Sequence, residues 1–213
     1  MVDPERLLPF ALAVVALVLA PGPNQAMIVA RSLGGGRRAG ITASLGINAG
    51  TFMHTLAAAA GLSAIVATSA IAFIVIKVVG ALYLFYLGVR LLTGNDHDAA
   101  NSDARVRRGR STTGASAFVR AMVTGILNPK VAIFFVAFLP QFVDREAGSV
   151  FVQFLLLGAI FTVIAVTIDS LVALAAGSIG SFLARNPTVA RWRERLTGAA
   201  FIALGVRLAF EKR

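Results

Sequence analysis

The sequence predicts an all-α integral membrane protein of six transmembrane helices, arranged as two inverted three-helix repeats. Three observations carry that expectation: an apolar composition, six long apolar runs, and a proline break near the start of each half. Of 213 residues, 57% are hydrophobic and only 14% are charged, whereas a soluble domain carries about 25% charged residues. Mean hydropathy is +0.81. There is no cysteine, which excludes disulfides and thiolate metal sites.

A spanning helix needs about 20 mostly apolar residues. Such runs fall at 7–30, 40–65, 69–92, 117–143, 149–176 and 196–211, the last being short and carrying Arg207. The first run, "LLPFALAVVALVLA", resembles the apolar core of a signal peptide. Asp3, Glu5 and Arg6 precede it, however, where a signal peptide has a basic segment. The run also continues past its prolines into "NQAMIVA", so it reads as a retained span. Between the third and fourth runs lies "TGNDHDAANSDARVRRGRSTTG", polar, charged and without apolar periodicity, which predicts a flexible loop over about 93–116. The chain thus reads as one transmembrane domain over 1–213, with repeat 1 at about 5–92 and repeat 2 at about 117–213.

Basic residues alternate along the connections. Arg31, Arg37 and Arg38 lie in the first and none in the second. Arg90, Arg105, Arg107, Arg108, Arg110 and Arg120 lie in or beside the third, one Arg in the fourth, and Arg185, Arg191, Arg193 and Arg195 in the fifth. Cytoplasmic loops are the basic ones, so both termini are expected outside the cytoplasm. The net charge of +10 then marks topology and contact with anionic lipid. It does not mark nucleic acid, because no basic patch is interleaved with aromatics.

"GALYLFYLGVRLL" (80–92) resembles "GAAFIALGVRLAF" (198–210), and each closes its half of the chain. The opening breaks are "APGPN" (20–24) and "LNPK" (127–130). An odd number of spans per repeat inverts the second copy, and inverted repeats with broken helices point to a secondary transporter. Proline removes a backbone donor and clashes with the preceding turn, so Pro21, Gly22 and Pro23 are expected to break helix 1 and Pro129 helix 4. Each break carries amides: Asn24 and Gln25 in one, Asn128 in the other, followed by Lys130. Freed backbone groups and amides together can line a polar cavity near the midplane. A plain kink is the simpler reading of one proline; two corresponding breaks with amides favour a substrate-binding site.

Among ionisable residues, Asp169 is the one carboxylate deep in a span, a position that marks function and calls for a partner. Lys77 in the third span and Lys130 after the fourth-span break are the candidate partners. Burial favours a neutral carboxyl and a nearby ammonium an ionised one. Asp169 therefore reads either as the coupling proton carrier or as half of an ion pair. His54 sits on a stripe, Thr42–Gly46–Gly50–His54, whose small residues allow close helix approach. It ranks below Asp169 as a titrating group. His54 and His97 are the only histidines, so no metal site or cofactor is expected. HExxH, GxSxG and P-loop signatures are absent, so neither an enzyme nor an ATP-driven pump is expected.

"APGPN", the glycine-spaced "GITASLGINAG", "KVVGALYLFYLGVRLL" and "GILNPK", in that order, resemble the LysE/RhtB amino-acid exporters over almost the whole chain. The resemblance implies a bacterial inner-membrane protein that exports amino acids or close derivatives against proton entry, by alternating access. Its partners would be a small amino-acid substrate, protons and lipid, with a homodimer left open by the glycine stripe. Related branches move cations, including cadmium, so a cation exporter of the same superfamily, or a small channel, stands as the alternative.

Overall fold

The computed structural model describes residues 4–93, 114–144, 146–185, 192, 195–203 and 206. Among these residues there are helices and no strands. Helix α1 spans Pro4–Leu19 and buries Phe10, Ala13, Val14 and Leu17 at helical spacing. The chain then breaks, and α2 begins at Pro23 and runs to Ala57. The long axes on the two sides of this break differ by 57°. A π-helical turn over Ala58–Leu62 leads into α3 (Ser63–Thr68). Ser69 then caps α4 (Ala70–Leu92), its hydroxyl accepting from the Ala72 N–H at 3.1 Å.

After the 94–113 stretch come α5 (Ala115–Ile126) and α6 (Pro129–Ala137), whose pair bends by 48° at Leu127–Asn128. A 3-10 turn at Leu139–Phe142 follows, then α7 (Val150–Arg185), and residues 195–203 are helical. At 1.5 Å per residue α7 is about 54 Å long, longer than the roughly 30 Å hydrocarbon layer.

By length and composition, Val150–Ser178 alone can cross a membrane. Leu7–Leu19 with Pro23–Ile65, and Ala115–Ile126 with Pro129–Phe142, qualify as bent pairs, giving up to three spans among the described residues. The 30–40 connection is the expected turn, and a tight one: two helical stretches meet at Gly36, whose φ of 74° is open to glycine and strained for other residues, and the chain folds back so that Gly40 lies against Ser32. One sequence expectation changes: the second run does not stop at 65 but continues to Thr68 after the π turn. Residues 94–113, His97 among them, and residues 204, 205 and 207–211 of the last run lie outside the described residues.

Packing is organised around α2, which makes its broadest contacts with α7 and α5. A Cβ added at Gly46 would crowd the Phe118 carbonyl, one at Gly50 the Met122 carbonyl, and one at Gly125 the Ile47 carbonyl. The glycine stripe therefore seats α2 directly on the α5 backbone within one chain. The aromatic core, with Phe10, Phe134, Phe135, Phe138, Phe154 and Phe161 fully buried, joins α1, α6 and α7. Large apolar side chains remain on the outside, among them Leu8, Leu12, Ile71, Leu82, Val163 and Leu171. So many exposed large apolar side chains suit contact with lipid.

Candidate functional site

The break after α1 leaves specific carbonyls without their helical partners. The Leu17 carbonyl would bond the amide of residue 21, but Pro21 has none. The Val18 carbonyl would bond Gly22, which is extended. Two side chains replace these donors. Gln25 Nε2 donates to Val18 O at 2.8 Å, and Lys130 Nζ donates to Leu17 O at 3.1 Å and to Ala20 O at 2.9 Å. A cation at the negative end of a helix is favourable. Gly22 has φ 163°, a conformation any residue adopts. What its missing side chain provides is room, because a Cβ there would lie 3.3 Å from Lys130 Nζ.

The second break explains how Lys130 reaches the first. Asn128 is the N-cap of α6: its Oδ1 accepts from the Lys130 N–H at 3.0 Å, with Pro129 at the first helical position. This fixes the backbone of Lys130 and lets its side chain cross to α1. The two proline breaks are thus tied to each other.

Against this junction sits Asp169 of α7, 3% exposed. Gln25 Nε2 donates to its Oδ1 at 2.8 Å, and Asn48 Nδ2 to its Oδ2 at 2.9 Å. Asn48 Nδ2 also reaches Ser44 O at 2.9 Å. A cavity is lined here by Asn24, Gln25, Asn48, Thr51, Lys130 and Asp169 on its polar side, and by Leu17, Val18, Val131, Phe161 and Ala165 on its apolar side. It offers about 20 Å³ to the centre of a water-sized probe, enough for one water and too little for an amino acid. The amide oxygen Asn24 Oδ1 is buried without a hydrogen-bond partner among the described residues.

Of the residues expected to form a site, Asn24, Gln25, Lys130 and Asp169 line this one cavity, and Pro21, Gly22, Pro23 and Pro129 shape the backbone around it. Asn128 does not line it; its carbonyl oxygen is engaged as a helix cap. His54 lies elsewhere, with Nε2 3.3 Å from Gly125 O and its ring 5.9 Å from that of Phe135. The Lys77 side chain is outside the described residues, and Lys130 is the cation that shares the cavity with Asp169.

Asn48 and Thr51 were missed. Their signal was a second stripe on α2, Ser44–Asn48–Thr51–Thr55, every member buried. In an apolar span a run of buried polar residues at helical spacing is a signal of its own, distinct from the glycine stripe on another face of the same helix. Among the described residues no group of three or more His, Cys, Asp or Glu is placed to hold a metal ion.

Residues 15–212 match the family model of the LysE type translocators. The chain is 32% identical over 210 residues to an uncharacterized membrane protein of Vibrio cholerae, covering 96% of this chain and 97% of the relative. It is 30% identical over 200 residues to an uncharacterized membrane protein of Pseudomonas aeruginosa, covering 94% and 93%. It is 26% identical over 200 residues to the leucine efflux protein of Salmonella typhimurium, covering 94% and 92%. No solved structure matches it.

Proposed function

The chain belongs to the LysE type translocator family, and from that premise we propose that it is a secondary exporter of amino acids or close derivatives, in the bacterial inner membrane. The observation that carries this reading is the polar cavity walled by Asn24, Gln25, Asn48, Lys130 and Asp169 inside an apolar bundle, at the junction of two proline-interrupted helices. Such a set buried without function is expensive. Its apolar wall of Leu17, Val18, Val131, Phe161 and Ala165 suits the side chain of a small molecule whose polar end faces the amides. The leucine efflux relative fits the same picture.

In this reading α4 and the helix at 195–203 complete a six-span bundle of two inverted repeats over the single domain 1–213. Transport proceeds by alternating access, with the water-sized cavity as an occluded state that widens when α1 and α6 part at their breaks. Asp169 carries the coupling proton. The basic connections face the cytoplasm and both termini lie outside.

Export profiling tests the reading. Cells expressing the protein and loaded with each amino acid in turn, as dipeptides, are predicted to release at least one amino acid faster than cells without it. Release of none, or cadmium resistance in its place, would favour the cation-exporting branch.

A further inference from the structure

We propose that the cavity is a charge-balanced receptor for net-neutral, zwitterionic aliphatic amino acids, with Asp169 receiving the ammonium group and Lys130 the carboxylate. This rests on the amino-acid export reading above and names its substrate class.

Among the described residues, the cavity lining carries one acidic and one basic side chain, on different helices: Asp169 on α7 and Lys130 on α6. The remaining polar lining, Asn24, Gln25, Asn48 and Thr51, is neutral. A zwitterion brings one charge of each sign and leaves the site neutral. Lysine or arginine would add a second cation, with no second carboxylate among the described lining residues to meet it, and an uncompensated buried charge is strongly disfavoured.

The acceptor side is richer than Asp169 alone. Asn24 Oδ1 is buried at the cavity with no partner among the described residues. Together with the carboxylate it suits an ammonium group, which has three donors. Lys130 now bonds the carbonyls of Leu17 and Ala20 at the α1 break. A substrate carboxylate competes for the same ammonium, so binding substrate loosens the tie between the two breaks. The apolar wall offers Leu17, Val18, Val131, Phe161 and Ala165 and no polar group that would favour a hydroxylated or amide side chain.

Asp169 is faced by Lys130 from α6 and by Gln25 and Asn48 from α2. One carboxylate so enclosed accepts the substrate ammonium or a proton, in turn, which gives exchange without a separate coupling group.

The test uses the purified full-length chain in liposomes, following labelled leucine counterflow against unlabelled competitors. Leucine is expected to compete at least tenfold better than leucinamide, which lacks the carboxylate, than 4-methylpentanoate, which lacks the ammonium, and than lysine. In Lys130→Gln the preference for leucine over leucinamide is expected to fall at least tenfold, and Lys130→Arg to retain it. The wild-type series decides the matter if the glutamine variant does not fold. Counterflow of lysine or arginine in preference to leucine would overturn the receptor while leaving amino-acid export standing. Equal competition by leucinamide or 4-methylpentanoate would overturn it as well. Counterflow of no amino acid at all would remove the export reading itself.

Discussion

Lys130 and Asp169 meet at the cavity from different helices, and each is also engaged with α1 or α2. Lys130 supplies the donor that Pro21 cannot give to Leu17 O, so Lys130→Met leaves that carbonyl and Ala20 O without it. A buried acceptor left unsatisfied costs about 1–3 kcal/mol, and the variant is predicted to melt earlier in detergent by that margin. Melting at the wild-type temperature would mean that other donors already serve these carbonyls. Asn48→Ala removes one of the two amides that hold Asp169. It is predicted to slow export at least tenfold while insertion stays normal, measured as release from loaded cells against protein level. The sequence made Asp169, Gln25 and Lys130 legible because charges and amides stand out in an apolar run. It left Asn48 unread, since a neutral amide on an otherwise bland helix is visible only once its neighbours at three and four residues are compared.

The proline breaks set the geometry of the helices that meet at the site. Asn128 caps α6 and Pro129 starts it. Asn128→Ala is predicted to lower stability by about 1 kcal/mol, the usual loss for an N-cap, and to reduce export further than that loss explains, because Lys130 loses its backbone anchor. Pro129→Ala is predicted to keep the protein inserted while transport collapses; wild-type export by a well-expressed variant would leave the break a mere kink. The glycine stripe of α2 was legible as a close-packing face, but its partner was not. The structure places α5 against it, so the stripe lends no support to a dimer. Gly50→Val, forced against the Met122 carbonyl, is predicted to destabilise the protein by about 3 kcal/mol, read from thermal melting. The turn between the first two spans was legible in its three successive glycines and two arginines, but its tightness was not: only the observed φ shows that Gly36 alone reverses the chain.

Across the whole molecule, the helical class and the apolar exterior followed from composition, since a chain with 14% charged residues cannot cover its surface with them. Orientation rests on the alternation of basic connections. Single cysteines at Ser102 and Ala147 are predicted to differ in reaction with an impermeant thiol reagent on intact cells, Ala147 labelling and Ser102 not; the opposite pattern would invert the topology. The central claim is that Asp169 couples amino-acid export to proton entry from within the cavity at the two breaks. Everted membrane vesicles test it most directly, because eversion turns export into uptake. With an imposed pH gradient, acidic inside, wild-type vesicles are predicted to accumulate labelled leucine. Asp169→Asn vesicles, matched for inserted protein, are predicted to lose gradient-driven accumulation at least tenfold, because the amide keeps the shape but cannot release a proton. Accumulation by the Asp169→Asn vesicles at the wild-type rate would contradict the account.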